Sequence, residues 1–131
     1  MDLRKLNDAS IHDPFPTPFM DEVLDNVGGQ EAYSFTDGLS RYHQIRIHEE
    51  DRHKTNFAIE WGSFQYTVMH FGLKNALAIF SKLVVAVFKE YIHKFVEVYF
   101  DDWTVFGLLK KHVESLRLML AKCRQHHIYL T

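Results

Sequence analysis

The sequence has few of the features that mark secreted or membrane proteins. Its single cysteine, Cys123, permits no intrachain disulfide, which excludes the disulfide-stabilised class and favours an intracellular setting. The longest apolar run, LVVAVF at residues 83–88, is far too short to span a bilayer. The first ten residues, MDLRKLNDAS, also lack the apolar core of a signal peptide. No membrane partner is expected.

An excess of positive charge is also missing. There are 15 lysines and arginines against 17 aspartates and glutamates, so any nucleic-acid binding must use local basic patches. Proline is scarce, and all three prolines lie in DPFPTPF at residues 13–19, which predicts an extended arm. With 131 residues, 47% of them hydrophobic and 15% aromatic, the chain is predicted to form one domain with a substantial core.

The first half of the chain alternates turn residues with strand patterns. Thr17 as N-cap and Pro18 as first helical residue predict a helix over residues 18–27 that the next two glycines end. Strands are predicted in AYSFTD (32–37) and YHQIRI (42–47). A hairpin is predicted from TNFAIEW (55–61) and FQYTVM (64–69), which flank Gly62 and Ser63.

The second half predicts a helix, a hairpin and another helix. Apolar residues lie almost all round the helical period over residues 75–92, which predicts a helix buried on most of its surface. Hairpin arms are predicted over residues 95–99 and 103–107. A second helix is predicted over residues 112–126, with one apolar face that comprises Val113, Leu116, Met119, Leu120 and Cys123. This mixture indicates an α+β fold, in which an antiparallel sheet carries helices on one face.

Three aspartates lie at predicted strand ends. Asp101 and Asp102 form the tip of the second hairpin, within KFVEVYFDDWTVFG (94–107), and Asp37 ends an earlier strand. Aspartate is a favoured turn residue, so the spacing alone favours a solvated turn over a metal site. If an antiparallel sheet brings all three together, their repulsion requires a proton or a cation, and Mg²⁺ prefers such carboxylate oxygens.

Two other groups of residues have ordinary explanations. The nine histidines invite a zinc hypothesis, but their spacing and the lone cysteine favour surface or helix-end positions. Lysines flank the acidic hairpin and either contact a phosphate backbone or are only solvated; they are Lys94, Lys110 and Lys111. Tyr42 by itself is typical of a half-buried sheet aromatic.

Six motifs occur in a recognisable order. They are DLRKLN (2–7), DPFPTPFMDEVLDNVGG (13–29), FTDGLSRYHQIRI (35–47), KTNF (54–57), VMHFGLKNALAIF (68–80) and VYFDD (98–102). In this order and spacing, residues 2–130 resemble the reverse transcriptase of gypsy-type long-terminal-repeat retrotransposons. The resemblance implies a polymerase palm-like sheet plus part of the fingers. It identifies residues 1–131 as a single fingers/palm fragment without thumb, connection or RNase H, and implies a location in a cytoplasmic particle or the nucleus.

The resemblance also implies a role for each motif residue. Asp37 and Asp101 would be the main ligands of two Mg²⁺ (or Mn²⁺) ions, with Asp102 as the third catalytic carboxylate. The nucleotide-binding residues would be Gly38, Leu39, Ser40, Arg41, Tyr42, Phe71 and Gly72. Tyr99 and Lys74 would contact primer or template. The implied partners are an RNA or DNA template-primer, a deoxynucleoside triphosphate and the rest of a retroelement polyprotein, including thumb and RNase H.

Three positions depart from the family pattern. Arg41 replaces a small residue where backbone should approach the triphosphate, and it would either clash with phosphate or bind it. His70 and Leu77 replace prolines, and Leu77 with Ile79 would extend a helix. Three hypotheses therefore stay open: a nucleotidyltransferase palm that acts within a polyprotein, a non-catalytic nucleic-acid-binding remnant, and a truncated or decayed copy without activity.

Overall fold

The computed structural model describes residues 2–16 and 18–131, and these form short helices around two antiparallel sheets. The α-helices are α1 (Arg4–Ala9), α2 (Met20–Val27), α3 (Glu49–Arg52), α4 (Ala76–Phe88) and α5 (Leu109–Gln125). The strands are β1 (Ala32–Asp37), β2 (Phe57–Ile59), β3 (Gly62–Phe64), β4 (Val96–Tyr99) and β5 (Asp102–Gly107). In the part of the chain described here, no helix is long and apolar enough to cross a membrane.

The central sheet has three antiparallel strands in the order β1-β5-β4, as the sequence predicts. In the central strand β5, Asp102 pairs with Asp37 of β1 on one side and with Tyr99 of β4 on the other. The last pair leaves only Phe100 and Asp101 to connect β4 to β5. Phe100 has a φ of +52°, a conformation that a bulky residue adopts only under constraint from its surroundings. The turn therefore holds the two aspartates in a defined place.

The main core lies behind this sheet. Alternate residues of β4 and β5 point to the back, where Val98 lies opposite Trp103 and Val96 opposite Val105. Helices α4 and α5 cover this face. Helix α2 contacts β4 and borders a groove over the front face of the sheet. The predicted α+β architecture, with an antiparallel sheet and helices packed behind it, is confirmed.

The segment YHQIRI does not form the predicted strand. Residues Arg41–Gln44 form a 3-10 turn, and only a single bridge, between Arg46 and Val68, follows it. The prediction is wrong because the alternation reflects one buried residue, Tyr42, which packs edge-on against Phe71 with ring centroids 4.9 Å apart. Tertiary packing overrides strand propensity here.

The predicted first hairpin forms with a different turn. Strands β2 and β3 pair Ile59 with Gly62, so Glu60 and Trp61 make the turn, and Gly62 and Ser63 lie in the second strand. The first long helix also begins later than predicted. Phe19 has extended backbone and precedes the helix start at Met20, so Pro18 is not helical, whereas Thr17 lies outside the described residues.

Helix burial is narrower than the apolar pattern predicts. Helix α4 ends at Phe88 rather than at residue 92, and four of its apolar residues are more than a third exposed: Leu77, Ile79, Leu83 and Val85. Helix α5 buries Met119 and Cys123, but Val113 is 67% exposed and Leu120 51% exposed. The prediction that α4 is buried on most of its surface is wrong, because the helix is buried along one stripe only. Helix α5 covers the sheet as predicted, but Val113 and Leu120 do not belong to its buried face.

Cys123 tests the packing between α5 and the sheet. Its side chain is buried, and burial raises the pKa of its thiol to about 11. Since the thiolate is the reactive species, the thiol should resist iodoacetamide at pH 8 in the folded protein and react fully in urea. Labelling measured by mass spectrometry checks this. Rapid labelling without denaturant would show that α5 does not pack against the sheet at Cys123.

Candidate active site

The front edge of the central sheet collects the three predicted carboxylates. Asp37 ends β1, Asp102 begins β5, and Asp101 lies in the turn between β4 and β5. Asp37 and Asp102 are directly opposite each other in the antiparallel pair, so their side chains project on the same face of the sheet. Segments that are far apart in sequence therefore place three acidic groups at one sheet edge.

The side chain of Arg41 bridges two of these carboxylates. Its Nη1 donates a hydrogen bond of 2.5 Å to Asp101 Oδ2, and its Nη2 donates one of 2.9 Å to Asp37 Oδ2. Both contacts are also ion pairs of partly buried side chains. The second oxygen of Asp101, Oδ1, is buried and has no hydrogen-bond partner among the described residues. Asp37 and Asp101 are thus close enough to share one cation.

The surroundings shift the pKa values of these groups in different directions. A hydrogen bond from Thr131 and another from Arg41 lower the pKa of Asp37. Burial raises the pKa of Asp101, the charges of Asp102 and Asp37 add to the rise, and Arg41 opposes it. Burial alone would lower the pKa of Arg41, but its hydrogen bond to Asp37 and the charge of Asp101 raise it. The guanidinium is therefore held in its charged form.

The loop after β1 sets the direction of Arg41. A Cβ on Gly38 would lie 2.9 Å from Phe80 Cζ, so only glycine allows the loop to pass this close to α4. The Leu39 N–H donates to the Tyr129 carbonyl. Ser40 has a φ of +46°, which turns the chain into the 3-10 segment that begins at Arg41. This geometry directs the arginine side chain back over the end of β1.

Tyr42 and Phe71 form a small aromatic cluster beside the loop. Tyr42 is buried and also packs edge-on against Phe80, at 6.1 Å between centroids. Phe71 is exposed for more than half of its surface. Gly72 has a φ of +95°, a conformation that favours glycine. The structure thus places Tyr42 against the exposed ring of Phe71, with Gly72 directly after it in the chain.

Lys74 lies two residues after Gly72, and the Asn7 side chain of α1 contacts both residues. Its Nζ donates to the Ser10 carbonyl at 3.2 Å, and its backbone N–H donates to Asn7 Oδ1. These contacts tie it to α1 and the segment after it. Tyr99, in contrast, lies opposite Asp102 and lines the front groove. Of the two predicted primer or template contacts, only Tyr99 is adjacent to the carboxylates.

The front groove adjoins the carboxylates and has a volume of about 810 Å³. One wall is α2, and the floor is the solvent-facing side of the sheet. Apolar side chains that line it include Leu24, Tyr33 and Phe35, each at least 40% exposed. Asp37 and Asp102 stand at the same groove. An extended ligand that lies in the groove would therefore reach the carboxylates.

No ready-made metal cage is present in residues 2–16 and 18–131. Within these ranges, no three carboxylate, imidazole or thiol side chains are grouped so that they could hold a metal ion. Neither the histidines nor the three aspartates form such a group. Asp101 and Asp37 instead share the Arg41 guanidinium. The paired carboxylate oxygens and the unpartnered Asp101 Oδ1 nonetheless suit a hard divalent cation.

Sequence reasoning missed two contributors to this site. The backbone N–H of Thr131 donates to the Asp37 carbonyl at 3.1 Å. Nothing in the sequence pattern indicates this contact. Arg41 was expected to face phosphate, and its pairing with two carboxylates was not foreseen. Its position four residues after Asp37 was the available signal, but that spacing implies contact only in a helix.

Comparison with known proteins decides the family. The family model described as reverse transcriptase (RNA-dependent DNA polymerase) matches residues 1–131. The chain belongs to the reverse transcriptase family. The expected resemblance to gypsy-type elements is confirmed, because the chain is 39% identical over 124 residues to the Pol polyprotein of transposon gypsy from Drosophila melanogaster. That match covers 94% of this chain and 12% of the polyprotein.

Two further likenesses extend the comparison. An RNA-directed DNA polymerase homolog from Oenothera berteroana is 37% identical over 123 residues, with 91% of this chain and 87% of that protein covered. The foamy viral protease-reverse transcriptase, solved in complex with double-stranded DNA, has a TM-score of 0.88 at 20% identity, with 99% of this chain and 23% of that one covered. The structural likeness confirms the palm-like fold.

Two departures of this reverse transcriptase chain have simple structural outcomes. Leu77 and Ile79 both lie in the first turn of α4. His70 is buried, packs against Tyr66 at 4.0 Å between ring centroids, and its Nδ1 lies 2.8 Å from the Phe71 carbonyl. Its Nε2 has no partner among the described residues. Neither change disturbs the sheet edge that carries the aspartates.

Proposed function

We propose that this chain is the fingers/palm part of an RNA-directed DNA polymerase that acts within a retrotransposon polyprotein. The reaction would be nucleotidyl transfer: the 3′-hydroxyl oxygen of a primer attacks the α-phosphorus of a deoxynucleoside triphosphate, a new phosphodiester bond forms and pyrophosphate leaves. The template would be RNA or DNA. The observation that carries the proposal is that Asp37 and Asp101 lie close enough to bind one cation, here the Arg41 guanidinium, beside the front groove.

The carboxylates would hold the metal. Asp37 and Asp101 would bind two Mg²⁺ or Mn²⁺ ions, and Asp102, opposite Asp37 in the sheet, would be the third catalytic carboxylate. Bound metal would supply charge neutralisation for the triphosphate and its leaving group. The constrained turn at Phe100 would keep Asp101 oriented for this role, since positioning and electrostatics provide most of the rate in phosphoryl transfer.

The neighbouring residues would position the nucleotide and the primer. The loop of Gly38, Leu39 and Ser40 would pass along the triphosphate, and Tyr42 with Phe71 would support the sugar and base. Tyr99, at the groove beside Asp102, would lie near the primer terminus. Lys74 would act at a greater distance, on the template or primer backbone. The partners would be the template-primer, the deoxynucleoside triphosphate and the polyprotein's thumb and RNase H, in a cytoplasmic particle or the nucleus.

The test is a chimera. Residues 2–130 would replace the matching segment of the gypsy Pol polyprotein, to which the chain is 39% identical. We expect Mg²⁺-dependent extension of a DNA primer on an RNA template, measured on sequencing gels beside the parental gypsy enzyme. A folded chimera that binds template-primer without extending it would favour the nucleic-acid-binding remnant. A folded chimera that neither binds nor extends would favour a decayed copy.

A further inference from the structure

Arg41 occupies the place where the proposed function requires metal. Its guanidinium contacts Asp37 and Asp101 through two separate nitrogens, at 2.9 and 2.5 Å. A divalent ion held by the two aspartates would compete with the guanidinium for their carboxylate oxygens. Two charge-assisted hydrogen bonds from one planar fork form a strong, directional contact. Metal binding at these carboxylates therefore has a built-in competitor.

The backbone around Arg41 favours this contact. The preceding residue, Ser40, has left-handed backbone, and the following residue, Tyr42, is anchored between Phe71 and Phe80. Both neighbours of Arg41 are thus fixed by local structure. The arginine side chain itself is only 25% exposed, so its pairing is protected from much of the screening that weakens surface ion pairs.

Release of Arg41 would leave the carboxylates available. Asp101 is the more deeply placed of the two, with a side chain 18% exposed, and its Oδ1 already lacks a partner. A divalent ion would satisfy both Asp101 oxygens and replace the charge that Arg41 withdraws. The Arg41 side chain is itself 25% exposed, so it borders solvent into which it can move.

We infer that Arg41 is an internal counter-ion that closes the metal site of this chain, so that Mg²⁺ or Mn²⁺ binds only by displacing its guanidinium from Asp37 and Asp101. The inference rests on the proposed function for the identity of the ion. The metal-free form is then a distinct state of the site, in which Arg41 offsets part of the carboxylates' negative charge. The affinity for a divalent metal then depends on how readily the ion displaces the Arg41 guanidinium.

The experiment measures Mn²⁺ binding to the full chain, without substrate, by electron paramagnetic resonance of the free ion. We expect Arg41→Ala to bind Mn²⁺ about tenfold or more tightly than the wild type, since each charged hydrogen bond that must break contributes on the order of 1.5 kcal/mol. Arg41→Lys should fall between them, because a single ammonium lacks the fork. The matched control is Arg117→Ala, which removes an exposed arginine that pairs with Glu114.

Melting temperatures of the same variants give a second measurement of Mn²⁺ binding. Mn²⁺ should raise the melting temperature of Arg41→Ala more than that of the wild type, because ligand binding stabilises the folded state by mass action. Adding Asp37→Asn to Arg41→Ala should abolish the gain in both measurements. If alanine at position 41 prevents folding, Arg41→Gln keeps the side-chain length and removes the charge.

The outcomes separate the inference from the proposed function. Equal or weaker Mn²⁺ binding by Arg41→Ala overturns the inference, as does tighter binding that survives Asp37→Asn. No binding by any variant also overturns it, since removal of the competitor should open the site. Tight binding by the wild type that requires Asp37 would end the inference and leave the polymerase proposal standing. Failure of the gypsy chimera to extend a primer leaves the Mn²⁺ result unaffected.

Discussion

Replacement of Trp103 by alanine is expected to reduce the free energy of unfolding by about 3–5 kcal/mol, which is a large fraction of the stability of a small domain. Trp103 is 0% exposed, and its ring packs against Phe80 and Phe88 with centroid distances of 6.2 and 5.5 Å. The substitution therefore leaves a cavity between the sheet and α4. Urea unfolding followed by circular dichroism measures the effect.

The chain contains its own control for this experiment. Trp61, the other tryptophan, lies in the turn between β2 and β3 and is 81% exposed, so Trp61→Ala should change stability by only about 0.5 kcal/mol. If Trp103→Ala does not fold, Trp103→Phe should fold with a smaller loss, because part of the ring volume remains. Equal effects of the two alanine substitutions would contradict the position of Trp103 behind the sheet.

The second large effect concerns the proposed chemistry. In the gypsy chimera, Asp101→Asn is expected to lower the rate of primer extension by about a thousandfold or more, since loss of metal-borne charge stabilisation costs several kcal/mol and each 1.36 kcal/mol is tenfold in rate. Binding of template-primer should change much less, because most nucleic-acid affinity comes from basic side chains on phosphates rather than from a carboxylate. Single-turnover extension and filter binding measure the two quantities.

A control substitution shows whether the loss of any aspartate charge has the same effect as Asp101→Asn. Asp25→Asn removes an aspartate from helix α2 and should leave the extension rate within about twofold, as surface substitutions away from a site usually have small effects. Circular dichroism should show both variants folded. Comparable activity of Asp101→Asn and Asp25→Asn would exclude Asp101 as a catalytic residue. An equal loss of template-primer binding and of extension in Asp101→Asn would indicate a structural role instead.

The metal-free site does not have the unrelieved charge repulsion expected of three neighbouring aspartates. Without a cation, removal of one carboxylate should relieve repulsion and stabilise the protein. The structure supplies that cation, because Arg41 already pairs with Asp37 and Asp101. The raised pKa of Asp101 arises first from its burial and only then from the charges of Asp102 and Asp37. A metal bound by these carboxylates would therefore replace a positive charge that Arg41 already supplies.

The sequence by itself determined the strands of the central sheet and the order of its elements. Runs of β-branched and aromatic residues bounded by turn residues predict β1, β4 and β5, and the short Phe100–Asp101 connection leaves β4 and β5 only an antiparallel pairing. The six motifs also identified the family and the three aspartates. These features depend on short-range periodicity and residue type, which a sequence displays directly.

Only the tertiary structure decided how the site is neutralised and which faces are buried. Tyr42 does not lie in a strand, because its ring packs against Phe71 and Phe80. Val113 stays exposed because α5 contacts the sheet along one stripe. Arg41 reaches two carboxylates through the left-handed turn at Ser40. Each outcome depends on contacts between residues distant in sequence, and no local pattern encodes such contacts because periodicity reports only a residue's own element.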